Sequence, residues 1–275
     1  MMKWKAFQFI MSVLLLLLFS PVEALAQTSY GNNPAVGHYL STRGVRLYYE
    51  VYGTGRPLLL IHGNGGSIDN FKYQIPYFSQ KYRVIAVDSR AQGKSVDLCD
   101  SLSFEMMADD FNALLDSLHI PQCFVLGWSD GGINALVMAI RHPAKVEMLA
   151  STGANLAPDS TIFASGAYNQ WMAEYLRLEK EPQTPLLKSQ HKLMALDLFQ
   201  PDLVPKDLER IRCSALIIGG DHDLILPSHT LAIAQAIPGA NLWIVPDSGH
   251  STLIQHQEQF NRLVDAFFSG SLSKE

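Results

Sequence analysis

Apolar residues in this chain come in short blocks, and the spacing inside each block points to an element. Residues 46–53 (RLYYEVYG) alternate in the manner of a strand. Short apolar runs at 58–61, 84–87, 123–127, 215–218 and 242–245 are too short for helices and read as buried strands, and 146–152 reads as a further strand. Between several of them lie helix signals. One covers 103–118, where Ser103 is placed to cap and Glu105 to assist; others cover 131–141, 228–236 and a closing stretch at 256–269. Short apolar strands alternating with helices predict an α/β fold, a parallel sheet covered on both faces. No internal repeat is visible.

Residues 155–208 break this rhythm. Helix-like stretches at 168–178 and 186–199 are punctuated by Pro182, Pro185, Pro201 and Pro205, without a strand signal. The segment reads as a helical insertion between two strands, and insertions at the C-terminal side of a parallel sheet border its ligand crevice. Tyr168, Trp171, Met172, Tyr175, Met194 and Phe199 either line a pocket there or pack the insertion onto the sheet. Helical spacing alone marks only a buried face.

The N-terminus follows another pattern. Lys3 and Lys5 precede an apolar run from Ile10 to Phe19, interrupted only by Ser12, and Pro21 and Ala24-Leu25-Ala26 follow. This layout predicts a secretory signal peptide over residues 1–26, cleaved after Ala26, with an uncleaved membrane anchor as the alternative. The apolar run is shorter than the roughly 20 residues of a spanning helix. Cleavage would leave residues 27–275 as the mature domain, secreted or periplasmic and without a stable membrane partner.

Composition narrows the class further. Of 275 residues, 48% are hydrophobic and 17% charged, which excludes a disordered chain. Lys and Arg total 21 against 26 Asp and Glu, so the net charge of −5 offers no footprint for nucleic acid. Three cysteines (Cys99, Cys123, Cys213) form no disulfide framework, although one bridge is possible in an oxidising compartment. Cys123 sits in an apolar run and reads as a buried, inert thiol. No Cys/His spacing suits zinc.

The chemistry concentrates at the ends of the predicted strands. The strand at 123–127 runs into Gly127-Trp128-Ser129-Asp130-Gly131-Gly132 and then a helix, a Gly-x-Ser-x-Gly sequence in strand–turn–helix context. Such a turn presents the Ser129 hydroxyl at the sheet edge and aims the first helical N–H groups, including that of Asp130, at the same spot. A serine nucleophile needs a base. His250, in Pro246-Asp247-Ser248-Gly249-His250 beyond the last strand, is the best placed of the nine histidines. His62 is read as shaping its loop, and His222 as a bystander. The base needs an orienting carboxylate. Asp221 and Asp223 both follow the strand at 215–218; Asp223 lies farther into the loop and is favoured. An oxyanion hole needs a second N–H. Asn64, in His62-Gly63-Asn64-Gly65-Gly66, is the candidate, the alternative being a plain glycine-rich turn. A dinucleotide-binding reading of Gly63-x-Gly65 fails at Ile68, and a phosphate-loop reading of Gly93-Lys94-Ser95 fails at Asp88.

With these residues in place, the chain resembles the α/β-hydrolase superfamily over residues 38–270. The matches are HGNGG at 62–66, Asp88-x-Arg90-x-x-Gly93-x-Ser95, GWSDGG at 127–132, Asp223 and His250, in the family's order Ser, Asp, His. The resemblance implies an eight-stranded, mostly parallel sheet flanked by helices, with a helical cap at about 155–208. Ala91 departs from the pattern, which more often has Gly there. Ser129 argues against haloalkane dehalogenases and epoxide hydrolases, which use Asp at that position. GWSDGG followed by Thr152-Gly153-Ala154-Asn155 is similar to valacyclovirase-like (biphenyl-hydrolase-like) serine hydrolases. If the Asp130 carboxylate faces the pocket, a cationic α-amino ester is favoured; otherwise Asp130 contributes its N–H alone and turns to water or the cap. Trp128 is a second candidate for touching substrate.

The expectation is a secreted serine hydrolase that cleaves an ester or similar small acyl substrate through an acyl-enzyme on Ser129. His250 acts as base and acid, Asp223 orients it, and the Asn64 and Asp130 amides hold the oxyanion, without metal or organic cofactor. A carbon–carbon bond hydrolase or a cofactor-free perhydrolase could use the same residues. A non-catalytic ligand-binding protein on this fold is the competitor from another class.

Overall fold

A computed structural model describes residues 29–182 and 184–272. The expected leader at 1–26 lies outside the described residues. The sheet has nine strands: β1 (Gly37–Thr42), β2 (Val45–Tyr52), β3 (Arg56–Ile61), β4 (Tyr82–Val87), the two-residue β5 (Val96–Asp97), β6 (Cys123–Trp128), β7 (Val146–Thr152), β8 (Ser214–Gly220) and β9 (Asn241–Val245). Eight of them run in the order β1-β2-β4-β3-β6-β7-β8-β9, and β5 adds a short antiparallel ladder to β2. From β4 to β9 every pairing is parallel, while β1 and β2 close the edge antiparallel. The sheet implied by the resemblance is therefore present, with β5 as one strand more.

The interior parallel strands are apolar along their whole length because both faces are covered. Leu58, Leu59, Leu60 and Ile61 of β3 are all fully buried. One face is covered by α1 (Phe104–Ser117) and α2 (Asp130–Arg141), the other by segments that include α6 (Gln257–Phe268); between α2 and α6 run α3 (Ala167–Leu178), α4 (Pro185–Phe199) and α5 (Pro227–Ala236). Ser103 caps α1 by accepting from the Met106 amide at 3.1 Å, which satisfies one otherwise orphaned donor. Two elements had no sequence signal. β1 is a half-exposed edge strand without an apolar run, and β5 is too short to show any period.

Helices α3 and α4 and a single turn at Pro205–Leu208 fill the stretch between β7 and β8. They lie over the C-terminal ends of the parallel strands. Few of their side chains are buried: Leu178 on α3, Leu196 and Leu198 on α4, and Leu208 on the turn. A polar network ties α4 to the body. Lys192 donates to Asp97 and to the Cys99 carbonyl, and Asp97 in turn accepts from Arg90 at 2.6 Å. Arg90 also makes two 2.7 Å bonds to Asp110 on α1. Ala91, the departure from the family pattern, sits at φ 63°, a backbone that favours glycine. No disulfide joins the cysteines; Cys123 is buried, and burial pushes its thiol up to about 12.

Candidate active site

Five loops at the C-terminal ends of neighbouring strands converge on one point. β6 is central, so the turn that leaves it for α2 lies between the loops of β3 and β7. That turn is extremely tight. Ser129 has φ 57° and ψ −120°, a strained conformation of the kind found at functional positions. A Cβ on Gly127 would lie 1.9 Å from the Gly131 carbonyl oxygen, and one on Gly131 would lie 1.8 Å from that of Ile61. The Gly-x-Ser-x-Gly spacing thus follows from backbone crowding on both sides of the serine.

His250 Nε2 lies 2.9 Å from Ser129 Oγ, and His250 Nδ1 lies 2.6 Å from Asp223 Oδ1. The two ring nitrogens therefore have separate tasks: Nδ1–H donates to the carboxylate and Nε2 accepts from the hydroxyl. Asp223 is buried, and its carboxylate is fixed by the Ile225 amide at 3.0 Å and the Gly220 amide at 3.2 Å. Asp221, the competing acid, faces outward. It accepts from the Ser248 and Asp247 amides and pairs with exposed His222; the first of these bonds does most to hold its carboxyl down to about 2. Its task is to fasten the His250 loop to the end of β8. His222 stays away from Ser129, as expected of a bystander.

The glycine loop after β3 presses against the elbow. A Cβ on Gly63 would come within 2.9 Å of the Ser129 Cβ. His62 locks the loop from beneath: Nδ1–H donates to the Gly63 carbonyl at 2.7 Å, and Nε2 accepts from the Ser89 amide at 3.0 Å. Burial lowers this imidazole to about 4, so it stays neutral and keeps both bonds. Among the described residues, neither the Asn64 nor the Asp130 amide donates to a protein acceptor, and both residues line the cavity beside Ser129. Two free amides at a nucleophile are suited to hold a developing oxyanion.

A strand–elbow–helix serine, with its acid after β8 and its histidine after β9 on this sheet order, meets the sequence comparison at this point. The alpha/beta hydrolase fold family matches residues 56–200. The chain belongs to the α/β-hydrolase fold family. Among its relatives, a 2-hydroxymuconate semialdehyde hydrolase of Pseudomonas sp. strain CF600 is 29% identical, covering 86% of this chain and 95% of its own. The human serine hydrolase BPHL is 27% identical, covering 83% and 84%. Among solved structures, a hydrolase from Pseudomonas aeruginosa superposes with a TM-score of 0.74 at 21% identity, covering 86% of this chain and 99% of that one. A thermophilic esterase from Thermogutta terrifontis gives 0.71 at 22%, with the same coverage. These two likenesses concern the fold.

This α/β hydrolase carries a cavity of about 360 Å³ over Ser129 and His250. Trp128 lines it and donates from Nε1 to the His250 carbonyl at 2.9 Å, so the indole also supports the histidine loop. Phe163, Trp171, Leu224 and Ile225 form apolar wall. Of the six aromatic and Met residues proposed from the insertion, Trp171 alone is among the cavity-lining residues. Tyr175 instead stacks on His191 at 4.0 Å and meets Phe199 edge-on, packing α3 against α4, and Tyr168 donates to the Leu198 carbonyl.

Asp130 is among the residues lining this cavity, and its buried carboxyl meets Asp197 of α4, a residue the sequence reading missed. The side chain thus turns to the helical cover. Asp130 Oδ2 is buried with no donor among the described residues. Burial, then the charge of Asp197, pushes Asp130 well above the usual carboxylate range; burial also raises Asp197, to about 6. The Asn64 side chain, which donates to the Leu193 carbonyl at 3.0 Å, acts on both carboxyls. A signal for Asp197 existed in the sequence: it is a lone acid inside the apolar stretch Leu193-Met194-Ala195-Leu196-Asp197-Leu198-Phe199.

Proposed function

We propose that this hydrolase cleaves an ester or similar small acyl substrate through an acyl-enzyme on Ser129. The observation that carries the reading is the unbroken chain from Asp223 through His250 to Ser129 Oγ, at 2.6 and 2.9 Å. His250 takes the Ser129 proton as Oγ attacks the carbonyl, then returns it to the leaving group. Asp223 holds the imidazole in the required tautomer and stabilises its charged form. The Asn64 and Asp130 amides receive the tetrahedral oxyanion. Water, activated by the same histidine, releases the acyl group.

Within that class, the acidic cavity wall favours substrates that bring a positive group, with α-amino esters as the leading case. Asp130 and Asp197 stand on this wall, and among the described cavity-lining residues none is Lys or Arg. The same feature weighs against carbon–carbon cleavage of an acid such as 2-hydroxymuconate semialdehyde, the substrate named for one relative, because a carboxylate would meet these acids unpaired.

Paired chromogenic esters, one neutral and one α-amino, test both levels. Ser129→Ala should lower turnover of either ester by about 10⁴-fold or more. Unchanged turnover in that variant rejects the serine mechanism. Higher kcat/KM on the amino ester is expected, and equal values reject the cationic preference while leaving the hydrolase. The proposed export rests on residues 1–26; N-terminal sequencing of the protein secreted from its host should begin at Gln27.

A further inference from the structure

Two carboxyl groups share the wall beside the nucleophile, and the groups around them supply little positive charge. On Asp130 act Asp197 and the Asn64 amide; on Asp197 act Asp130, Asn64 and, from the loop beyond β9, His250. His250 is committed to Ser129 and Asp223. Lys192, on the same helix as Asp197, is committed to Asp97 and the Cys99 carbonyl, and His191 stacks on Tyr175. The remaining cavity wall is neutral, including Asn155, Gln200, Phe163 and Trp171. Two carboxylates so placed, one with an oxygen buried and without a donor, cannot both stay ionised at low cost. One shared proton supplies a hydrogen bond between them and leaves the site with a single negative charge.

We propose that Asp130 and Asp197 hold one proton between them in the free enzyme, and that the cationic group of a bound substrate takes its place and sends it to solvent. The exchange balances. The free pair is one carboxylic acid and one carboxylate. The occupied site is two carboxylates facing one ammonium, and the lost proton goes to buffer. The net charge of the site is one negative unit before and after, because the entering ammonium is matched by the newly ionised carboxylate. A neutral ester offers nothing in exchange and leaves the proton where it is. Asp197 is thereby a specificity-determining residue: it sets the protonation state in which Asp130 meets the substrate. The inference rests on the reading that cationic acyl substrates occupy this cavity.

Calorimetric titration of Ser129→Ala in two buffers of different ionisation enthalpy counts the protons, at about pH 6.5 where an α-ammonium is charged. Alanine ethyl ester is the cationic probe and ethyl propanoate the neutral one. About one proton should leave per alanine ester bound and none per propanoate. Adding Asp130→Asn should cut the release while the cation still binds, since the buried carboxyl that holds the proton is gone and Asp197 still meets the ammonium. Binding of the alanine ester without proton release overturns the exchange and leaves the substrate reading intact. Equal affinity for the two esters overturns the substrate reading instead. An infrared difference spectrum between the enzyme and Asp130→Asn tests the proton without any ligand. A protonated-carboxyl band lost in the variant is expected, and its absence overturns the proposal.

Discussion

Two groups of acids lie close together in this molecule, and they are balanced in opposite ways. Around Arg90, Asp97 and Asp110 face the Arg90 guanidinium and the Lys192 ammonium, and the half-exposed Arg43 guanidinium lies 3.8 Å from Asp110, so two negative charges meet three positive ones. At the cavity wall, Asp130 and Asp197 face each other and an uncharged amide. The first group is more deeply buried, with Arg90, Asp97 and Asp110 side chains at 1%, 0% and 0% exposure, yet burial there leaves Asp97 below its ordinary range. Burial works to raise Asp97, but hydrogen bonds from Lys192, the Cys99 amide and Arg90 outweigh it. Asp130, buried without such partners, is pushed up. Burial and ionic partners thus compete at each acid: burial still raises Asp110 beside Arg90, the partners win at Asp97, and at Asp130 no cation opposes burial. The balanced group joins α1, β5 and α4 into one body. The unbalanced one keeps a negative charge free to meet a ligand, which is how functional sites differ from structural ion pairs.

The harshest way to break the comparison is to unbalance the first group. Arg90→Leu removes both bonds to Asp110 and the one to Asp97, leaving the buried carboxylates with Lys192 and the half-exposed Arg43. A loss of about 3–5 kcal/mol is expected from urea unfolding near neutral pH. Most of that loss should be recovered in acid, where the two acids can take up protons. A loss within about 0.5 kcal/mol would mean the network is ornamental and the contrast with the cavity pair is empty.

Much of this architecture was legible in the sequence, and what was hidden shows why. The parallel strands appear as apolar runs because they are covered on both faces. The turn at Ser129 and the His62 loop appear because crowded backbone demands glycine at Gly127, Gly131 and Gly63. The choice between Asp221 and Asp223 came from loop position, and the structure gives each acid a distinct set of amides to accept from. Asp197 was not placed, because nothing in local spacing tells which way a helix over the sheet turns its polar residue. Its meeting with Asp130 is set by how α4 lies across the strand ends, where Lys192 and the Asn64 side chain fasten it. The same applies to Tyr175 and Phe199, whose aromatic character was visible but whose direction, between α3 and α4, was not.

A milder change relieves the unbalanced pair. Asp130 and Asp197 are both raised in the folded protein, so folding takes up protons there. Their contribution to stability is fully present below about pH 4, the unfolded value, and is lost as pH rises through the folded value of about 6 for Asp197. Asp197→Asn removes this titration and still donates a hydrogen bond to Asp130. At pH 7 it should raise stability by roughly 1 kcal/mol, with no gain in acid. Urea midpoints at the two pH values measure this; a stability loss at pH 7 would show that the pair is not strained.

The smallest expected effect comes from taking one cation from the balanced group. Lys192→Met keeps the side-chain stem and leaves Asp97 facing Arg90 alone, while Asp110 keeps Arg90 and Arg43. Lys192 is partly exposed, at 14%, and Arg90 still neutralises one carboxylate, so the cost should be about 1 kcal/mol rather than that of Arg90→Leu. Its sign in pH carries the comparison. In the parent, Asp97 is lowered, so its contribution is present above about pH 4 and lost as pH falls through the still lower folded value. Without Lys192 only the Cys99 amide and Arg90 oppose burial at Asp97, so its carboxyl should sit closer to the ordinary range. The acid limb of the stability profile should then flatten. An unchanged acid limb would place the stabilising charge on Arg90 alone, and the count of charges would no longer explain why these two groups of acids differ.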